Sequence, residues 1–135
     1  MGKSIMDIEG IGKVYADKLR GAGCGSAEAL LKNGATRKGR NDLAKTTGIS
    51  SKIIMRCVNM ADLFRIKGVA SQYAELLEAS GVDTVKELSK RKADNLATKM
   101  KQVNDKKNLC NLCPSEKSVA GWIEQAKKLK PVVVY

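Results

Sequence analysis

The chain has 135 residues, 43% of them hydrophobic, which is enough for one domain or two small lobes with a packed core and excludes a disordered tail. Aromatic residues make up 4%, so aliphatic side chains must fill the core, a composition that favours packed helices over a β-sandwich. The formal net charge is +11, from 25 Lys and Arg against 14 Asp and Glu. This charge indicates a polyanionic partner, with a basic surface that serves solubility alone as the alternative.

Hydropathy argues against a membrane protein. No stretch reaches the roughly 18 apolar residues that a membrane span needs. The first residues of the chain lead directly into Asp7 and Glu9, without the apolar core of a signal peptide. We therefore expect a cytoplasmic protein with no membrane partner, in which the four cysteines are reduced thiols.

The sequence contains an internal repeat. Residues 8–23 and 66–81, which lie 58 positions apart, share six of sixteen residues, far more than chance allows. A weaker match, 65 positions apart, joins residues 50–61 with residues 115–126, so the second copy has seven additional residues in the span that includes the lysine-rich run 99–107. The repeat predicts an all-α protein with two tandem units, residues 1–64 and residues 65–135, that share a long connecting helix. The identical pairs are Ile8/Ile66, Gly10/Gly68, Tyr15/Tyr73, Ala16/Ala74, Leu19/Leu77 and Gly23/Gly81.

Helical spacing and capping residues predict the elements of both copies. In chain order, the first copy has a helix that ends before Gly23, a short helix capped by Ser26, a helix capped by Thr36, and a long helix from Ser50 or Ser51 to Phe64. The second copy repeats this scheme and ends with a helix that carries Val119, Trp122, Ile123 and Ala126. The last residues, 131–135, form an extended apolar tail that we expect to cover a groove or a partner.

The key constellation is Ile8-Glu9-Gly10-Ile11-Gly12, followed by Ala16. Two glycines that flank one apolar residue permit a tight turn between helices, because glycine accepts a positive φ. Ile11 can then plug the core, while uncovered N–H groups at the start of the next helix favour an anion. Lys13 follows directly and can contact the same phosphate. The alternative is that the turn is only a connector.

This apolar-x-Gly-apolar-Gly hairpin with its following Ala resembles the helix-hairpin-helix motif. The whole chain resembles a bacterial family of domains of unknown function that is assembled from tandem helix-hairpin-helix units. The resemblance implies a SAM-like all-α fold and binding of DNA without sequence preference through backbone amides of the hairpin. It also implies a monovalent cation at the Gly10–Gly12 hairpin and no other cofactor. No established activity comes with that family.

The motif decays along the chain. Gly48, Ser50 and Lys52 belong to a second hairpin, which retains one glycine and one apolar plug. In the third, Lys67 and Gly68 remain but Ala70 replaces the second glycine, which crowds the backbone. The fourth, around residues 113–116, has no glycine and is interpreted as structural.

A basic cluster, Arg37, Lys38 and Arg40, follows Thr36 at a predicted helix start. Cations at this position oppose the helix macrodipole, and a bound phosphate would relieve the conflict. The alternative is ordinary solvated surface charge.

Catalysis and metal binding are not expected. The chain contains no His and no convincing pair of nucleophile and base, so we expect no enzymatic activity. Cys110 and Cys113 have the spacing of a zinc or redox pair, but only Cys24 and Cys57 could complete four ligands, and no pattern brings them together. We therefore expect buried or incidental thiols and no metal.

The function predicted from the sequence is sequence-nonspecific nucleic-acid binding, with DNA as the expected partner. The alternative is a protein-interaction or assembly scaffold, with a protein partner or self-association. A cysteine-based metal or redox module is a weaker third hypothesis. The residues predicted to contact nucleic acid are Gly10, Ile11, Gly12, Lys13, Arg37, Lys38, Arg40, Gly48, Ser50, Lys52, Lys67 and Gly68.

Overall fold

The computed structural model describes residue 5 and residues 11–134, and this part of the chain is all-helical, as predicted. In chain order its helices are α1 (Gly12–Gly21), α2 (Ala27–Asn33), α3 (Arg37–Thr47), α4 (Ser51–Leu63), α5 (Ser71–Ala79), α6 (Val85–Ser89), α7 (Ala93–Lys107) and α8 (Glu116–Lys128). None of these helices combines the length and the apolar character needed to cross a bilayer.

The predicted helix boundaries are set by local capping. Ser26 Oγ accepts the N–H of Ala29 at 3.1 Å, and Thr36 Oγ1 accepts the N–H of Gly39 at 3.0 Å, which confirms both predicted caps. After α1, Gly23 adopts a left-handed φ of 85°, as expected for a residue just past a helix end.

The helix bounds follow the two sequence offsets. Helices α2 and α6 begin 58 residues apart, and α4 and α8 begin and end 65 residues apart. Helix α7 has 15 residues against 11 in α3, so part of the insertion lengthens α7 and places the lysine-rich run at its end.

The helices form two compact units, divided between Asp62 and Leu63. The first comprises the described residues up to 62 together with residues 132–134. Within it α1 and α2 pack on α3, and Leu19, Leu30 and Ile54 are fully buried. This apolar core fixes the positions at which α1, α3 and α4 begin.

The second unit comprises residues 63–131. Helices α6 and α7 pack on α8, and α5 packs on α7. The apolar residues predicted for the last helix are all buried, among them Trp122 and Ile123. Leu77, Leu88 and Leu96 complete this core.

The apolar tail lies on the first unit. The Val134 N–H donates to the Ala35 carbonyl at 2.7 Å, and Val133 is buried. Arg40 secures this arrangement from below, because its guanidinium donates to the carbonyls of Gly34 at 2.8 Å, Ala35 at 3.1 Å and Val134 at 2.7 Å. One buried cation therefore joins the tail to the turn between α2 and α3.

Replacing Arg40 with Met is expected to lower the free energy of unfolding by about 3 kcal/mol, because carbonyls that accept from a buried charge would lose their donor. Arg37→Met, an exposed position on the same helix, should change it by no more than about 0.5 kcal/mol. Urea unfolding of both variants measures the difference. Equal losses would show that Arg40 does not carry the tail contact.

Candidate nucleic-acid interface

The first hairpin is described from Ile11 onward, and Gly10 lies outside the described residues. Ile11 is 3% exposed, in the position of the predicted apolar plug. Gly12 is exposed and has a φ of 67°, a conformation that favours glycine. Within the described ranges, a methyl group at Gly12 would meet no atom within 4 Å, so these residues leave its surroundings open.

Lys13, the predicted phosphate contact of this hairpin, forms an ion pair in the structure. Its Nζ lies 3.0 Å from Asp17 Oδ2, and Arg20 Nη1 lies 3.2 Å from Asp17 Oδ1. The hydrogen bond and the charge of Lys13, followed by Arg20, hold the pKa of Asp17 below its usual value. These side chains are exposed, so a stronger anion can displace the carboxylate at low cost.

The second hairpin connects α3 to α4. Gly48 closes α3 with a left-handed φ of 75°, and its N–H donates to the Ala44 carbonyl at 2.9 Å. Ile49 is 2% exposed and plugs the core, as its position in the motif predicts. Ser50 Oγ accepts the N–H of Ile53 at 3.3 Å, and Lys52 is exposed in the first turn of α4. A buried plug thus holds a helix start at the surface.

A groove of about 310 Å³ lies between α3 and α4. It brings together Arg37 and Lys52, which the sequence placed in two separate clusters. Lys38 is exposed but does not line this groove, and neither do Gly12 and Lys13. The full lining is Arg37, Arg40, Asn41, Ser51, Lys52 and Met55.

Three of these lining residues, Asn41, Ser51 and Met55, are absent from the sequence prediction. Asn41 lies four residues after Arg37 on α3, a spacing that places two side chains on one helix face. Met55 stands in the same relation to Ser51 on α4. That spacing is the signal from which the sequence could have identified them.

The prediction for Arg40 needs correction. Its side chain is 5% exposed and donates to three backbone carbonyls, so the guanidinium serves the fold and does not reach out to a phosphate. The physical reason is the tail, which covers the helix face on which Arg40 lies. Arg37 and Lys38 remain exposed at the start of the same helix.

The third hairpin is closed by α8, which corrects the prediction for Lys67 and Gly68. The Lys67 N–H donates to Gln125 Oε1 at 2.8 Å, and Gln125 Nε2 donates to the Lys67 carbonyl at 3.0 Å. A Cβ at Gly68, where φ is 97°, would lie 3.1 Å from Trp122 Nε1. The Trp122 ring in turn packs against Tyr73, with centroids 5.3 Å apart. The backbone of this hairpin is therefore committed to internal partners.

Helix starts in the two units differ in charge. The first turns of α1, α3 and α4 contain no acidic residue and carry Lys13, Arg37 with Lys38, and Lys52, respectively. Four other helices begin in the usual way, with a carboxylate that complements the macrodipole. These acidic residues are Glu28 in α2, Glu87 in α6, Asp94 in α7 and Glu116 in α8.

The cysteine environments favour neutral thiols. Burial raises the pKa of Cys24, Cys110 and Cys113 above the usual value. Cys110 donates to the Gln72 carbonyl at 3.4 Å, and Asn33 donates to Cys24 Sγ at 3.5 Å. Across the described part of the chain, no three potential metal ligands come together. A protonated thiol is a weak nucleophile and a weak metal ligand.

Comparison with known proteins gives one match. A family model described as "Domain of unknown function (DUF4332)" matches residues 9–129. No curated protein and no solved structure matches the chain.

Replacing Gln125 with Met should open the third hairpin without changing the volume of the side chain greatly. We expect hydrogen exchange at the Lys67 amide to accelerate at least about tenfold and the free energy of unfolding to fall by about 1–2 kcal/mol. Exchange measured by NMR, with Lys128→Met on the same helix as the control, tests this. Unchanged protection of the Lys67 amide would refute the closure.

Proposed function

The chain belongs to the family of the domain of unknown function DUF4332, and we propose that it binds nucleic acid through the helix starts of its first unit. In this proposal backbone amides and flanking cations grip phosphates, and no base is read, so binding is independent of sequence. DNA is the expected partner. The protein acts by binding and not by catalysis.

The observation that carries the proposal is the set of three basic helix starts. Each helix presents N–H groups without intrahelical acceptors at its first turn, and the macrodipole makes that end positive. At α1, α3 and α4 the flanking charge is also positive, so these ends repel one another's charge until an anion binds. Phosphate groups satisfy both the amides and the cations.

The hairpin geometry supports a helix-hairpin-helix interpretation of the first unit. The left-handed Gly48, the buried Ile49 and the capping Ser50 place the start of α4 at the surface. Left-handed Gly12 and buried Ile11 repeat this pattern before α1. A monovalent cation at the Gly10–Gly12 hairpin belongs to the same proposal and rests on the motif alone.

A scaffold role is the second candidate, and one observation favours it for the second unit. The third hairpin is closed by Gln125 and Trp122, so its backbone offers no amide to a phosphate at Lys67. In the same unit Leu112 is 77% exposed, which suits a protein contact. A protein that only assembles partners would bind no DNA even at low salt.

The charge contribution is tested with a matched pair of double variants. If about four phosphates are contacted, the logarithm of the affinity for duplex DNA should fall against the logarithm of salt with a slope of about −3.6, and Lys13→Gln with Lys52→Gln should reduce this to about −1.8. Fluorescence anisotropy in a salt series measures both slopes.

The control is Lys90→Gln with Lys99→Gln, which removes the same charge from the second unit. It should leave the slope close to that of the unmodified protein. An equal effect of the two pairs would indicate attraction by net charge alone, and no binding at low salt would favour the scaffold.

Asp17→Asn should strengthen DNA binding by about two- to fivefold at low salt, because it releases Lys13 and Arg20 for phosphate. The lowered pKa of Asp17 keeps its carboxylate ionised, so the gain should be the same from about pH 6 to pH 8. Anisotropy titrations compare it with Asp105→Asn, an exposed carboxylate on α7. A gain that the two variants share would remove Asp17 from the account.

A further inference from the structure

The groove between α3 and α4 differs in charge from two other grooves of the molecule. Its lining includes Arg37, Arg40 and Lys52 and contains no carboxylate. A second groove of the first unit is lined in part by Asp42, and a groove of the second unit by Asp94 and Glu124. The α3–α4 groove therefore attracts an anionic group without competition from its own walls.

The size of the groove limits what can enter it. Its volume of about 310 Å³ is at the lower end of the range of about 300–1,000 Å³ that is typical of ligand sites. One nucleotide unit matches this size. A DNA duplex presents its phosphates on a convex surface and keeps its bases stacked inside, so it can touch the rim of the groove but cannot fill it.

The lining offers the contacts that a nucleotide needs. Arg37 on α3 and Lys52 on α4 supply charge for a phosphate, and the first amides of α4 add N–H donors. Asn41 can donate to and accept from a sugar or a base edge, and Met55 offers a polarisable apolar surface.

Arg40 makes this groove a preorganised one. Its guanidinium is held by three carbonyls, so the cation lines the groove without having to be ordered when a ligand binds. Because Arg40 is buried, its charge is screened by salt less than the charge of an exposed side chain. A fixed charge beneath mobile Arg37 and Lys52 favours a phosphate seated in the groove over one at its rim.

We propose that the α3–α4 groove binds one nucleotide of a single-stranded nucleic acid, with its phosphate between Arg37 and Lys52 and its sugar or base against Asn41 and Met55. This inference rests on the proposed function and adds a preference for single strands over duplex. Charged grooves that follow a backbone are the usual device of single-strand binding, and they tolerate any sequence.

The test compares short single-stranded DNA and RNA oligonucleotides with the matching DNA duplex by anisotropy. Arg37→Gln should weaken single-strand binding about tenfold and duplex binding by no more than about threefold. Asn41→Leu should weaken single-strand binding about fivefold without changing the salt slope, because it removes no charge.

Matched controls are Lys45→Gln on α3 for the charge and Gln102→Leu on α7 for the polar-to-apolar change. Each should stay within about twofold of the unmodified protein on every probe. Circular dichroism confirms that all variants are folded. RNA bound as tightly as DNA supports the site equally, since both carry the same phosphodiester.

Equal losses on single strand and duplex would overturn the inference, as would an unmodified protein that prefers duplex. If duplex binds with the steep salt slope while both groove variants leave single-strand binding unchanged, the proposed function stands and the groove assignment fails. If the unmodified protein binds none of the probes at low salt, both fail together.

Discussion

The account depends on one electrostatic conflict, the presence of cations at the positive ends of α1, α3 and α4. A charged side chain near a helix end contributes about 0.3–1 kcal/mol, and here the sign is unfavourable. The same chain places carboxylates at the starts of α2, α6, α7 and α8, so it uses the favourable arrangement elsewhere. An arrangement that is unfavourable alone and favourable with an anion is typical of a binding surface, because its free energy is recovered only in the complex.

The two copies of the repeat differ in what occupies the hairpin. In the second copy the carboxamide of Gln125 bonds both the N–H and the carbonyl of Lys67, and its oxygen takes the place that a phosphate oxygen would take. The position 65 residues earlier is Met60, whose thioether has no N–H and is a weak acceptor. Likewise Trp122 corresponds to Cys57, which is much smaller. Divergence at these two positions accounts for a closed hairpin in one copy and leaves the first copy without the same lock.

Local features of this fold could be predicted from the sequence, and long-range features could not. The caps at Ser26 and Thr36 and the left-handed Gly23 depend on neighbours within a few residues, so the pattern contains all that determines them. The role of Arg40 depends on Val134, 94 residues away, and that of Lys67 depends on Gln125, 58 residues away. Both were expected at the surface, because the sequence does not show which residues will cover a given face. The α3–α4 groove was missed in part for the same reason, since it forms only when two helices pack.

An NMR titration with nucleic acid tests the central claim most directly, because it reports on each backbone amide separately. The account predicts that shifts concentrate at Gly12 and Lys13, at Arg37 and Lys38, and from Gly48 to Lys52, with Lys67 and Gly68 unmoved. Shifts centred on Lys67 and Gly68, or spread evenly over the lysines of both units, would contradict it.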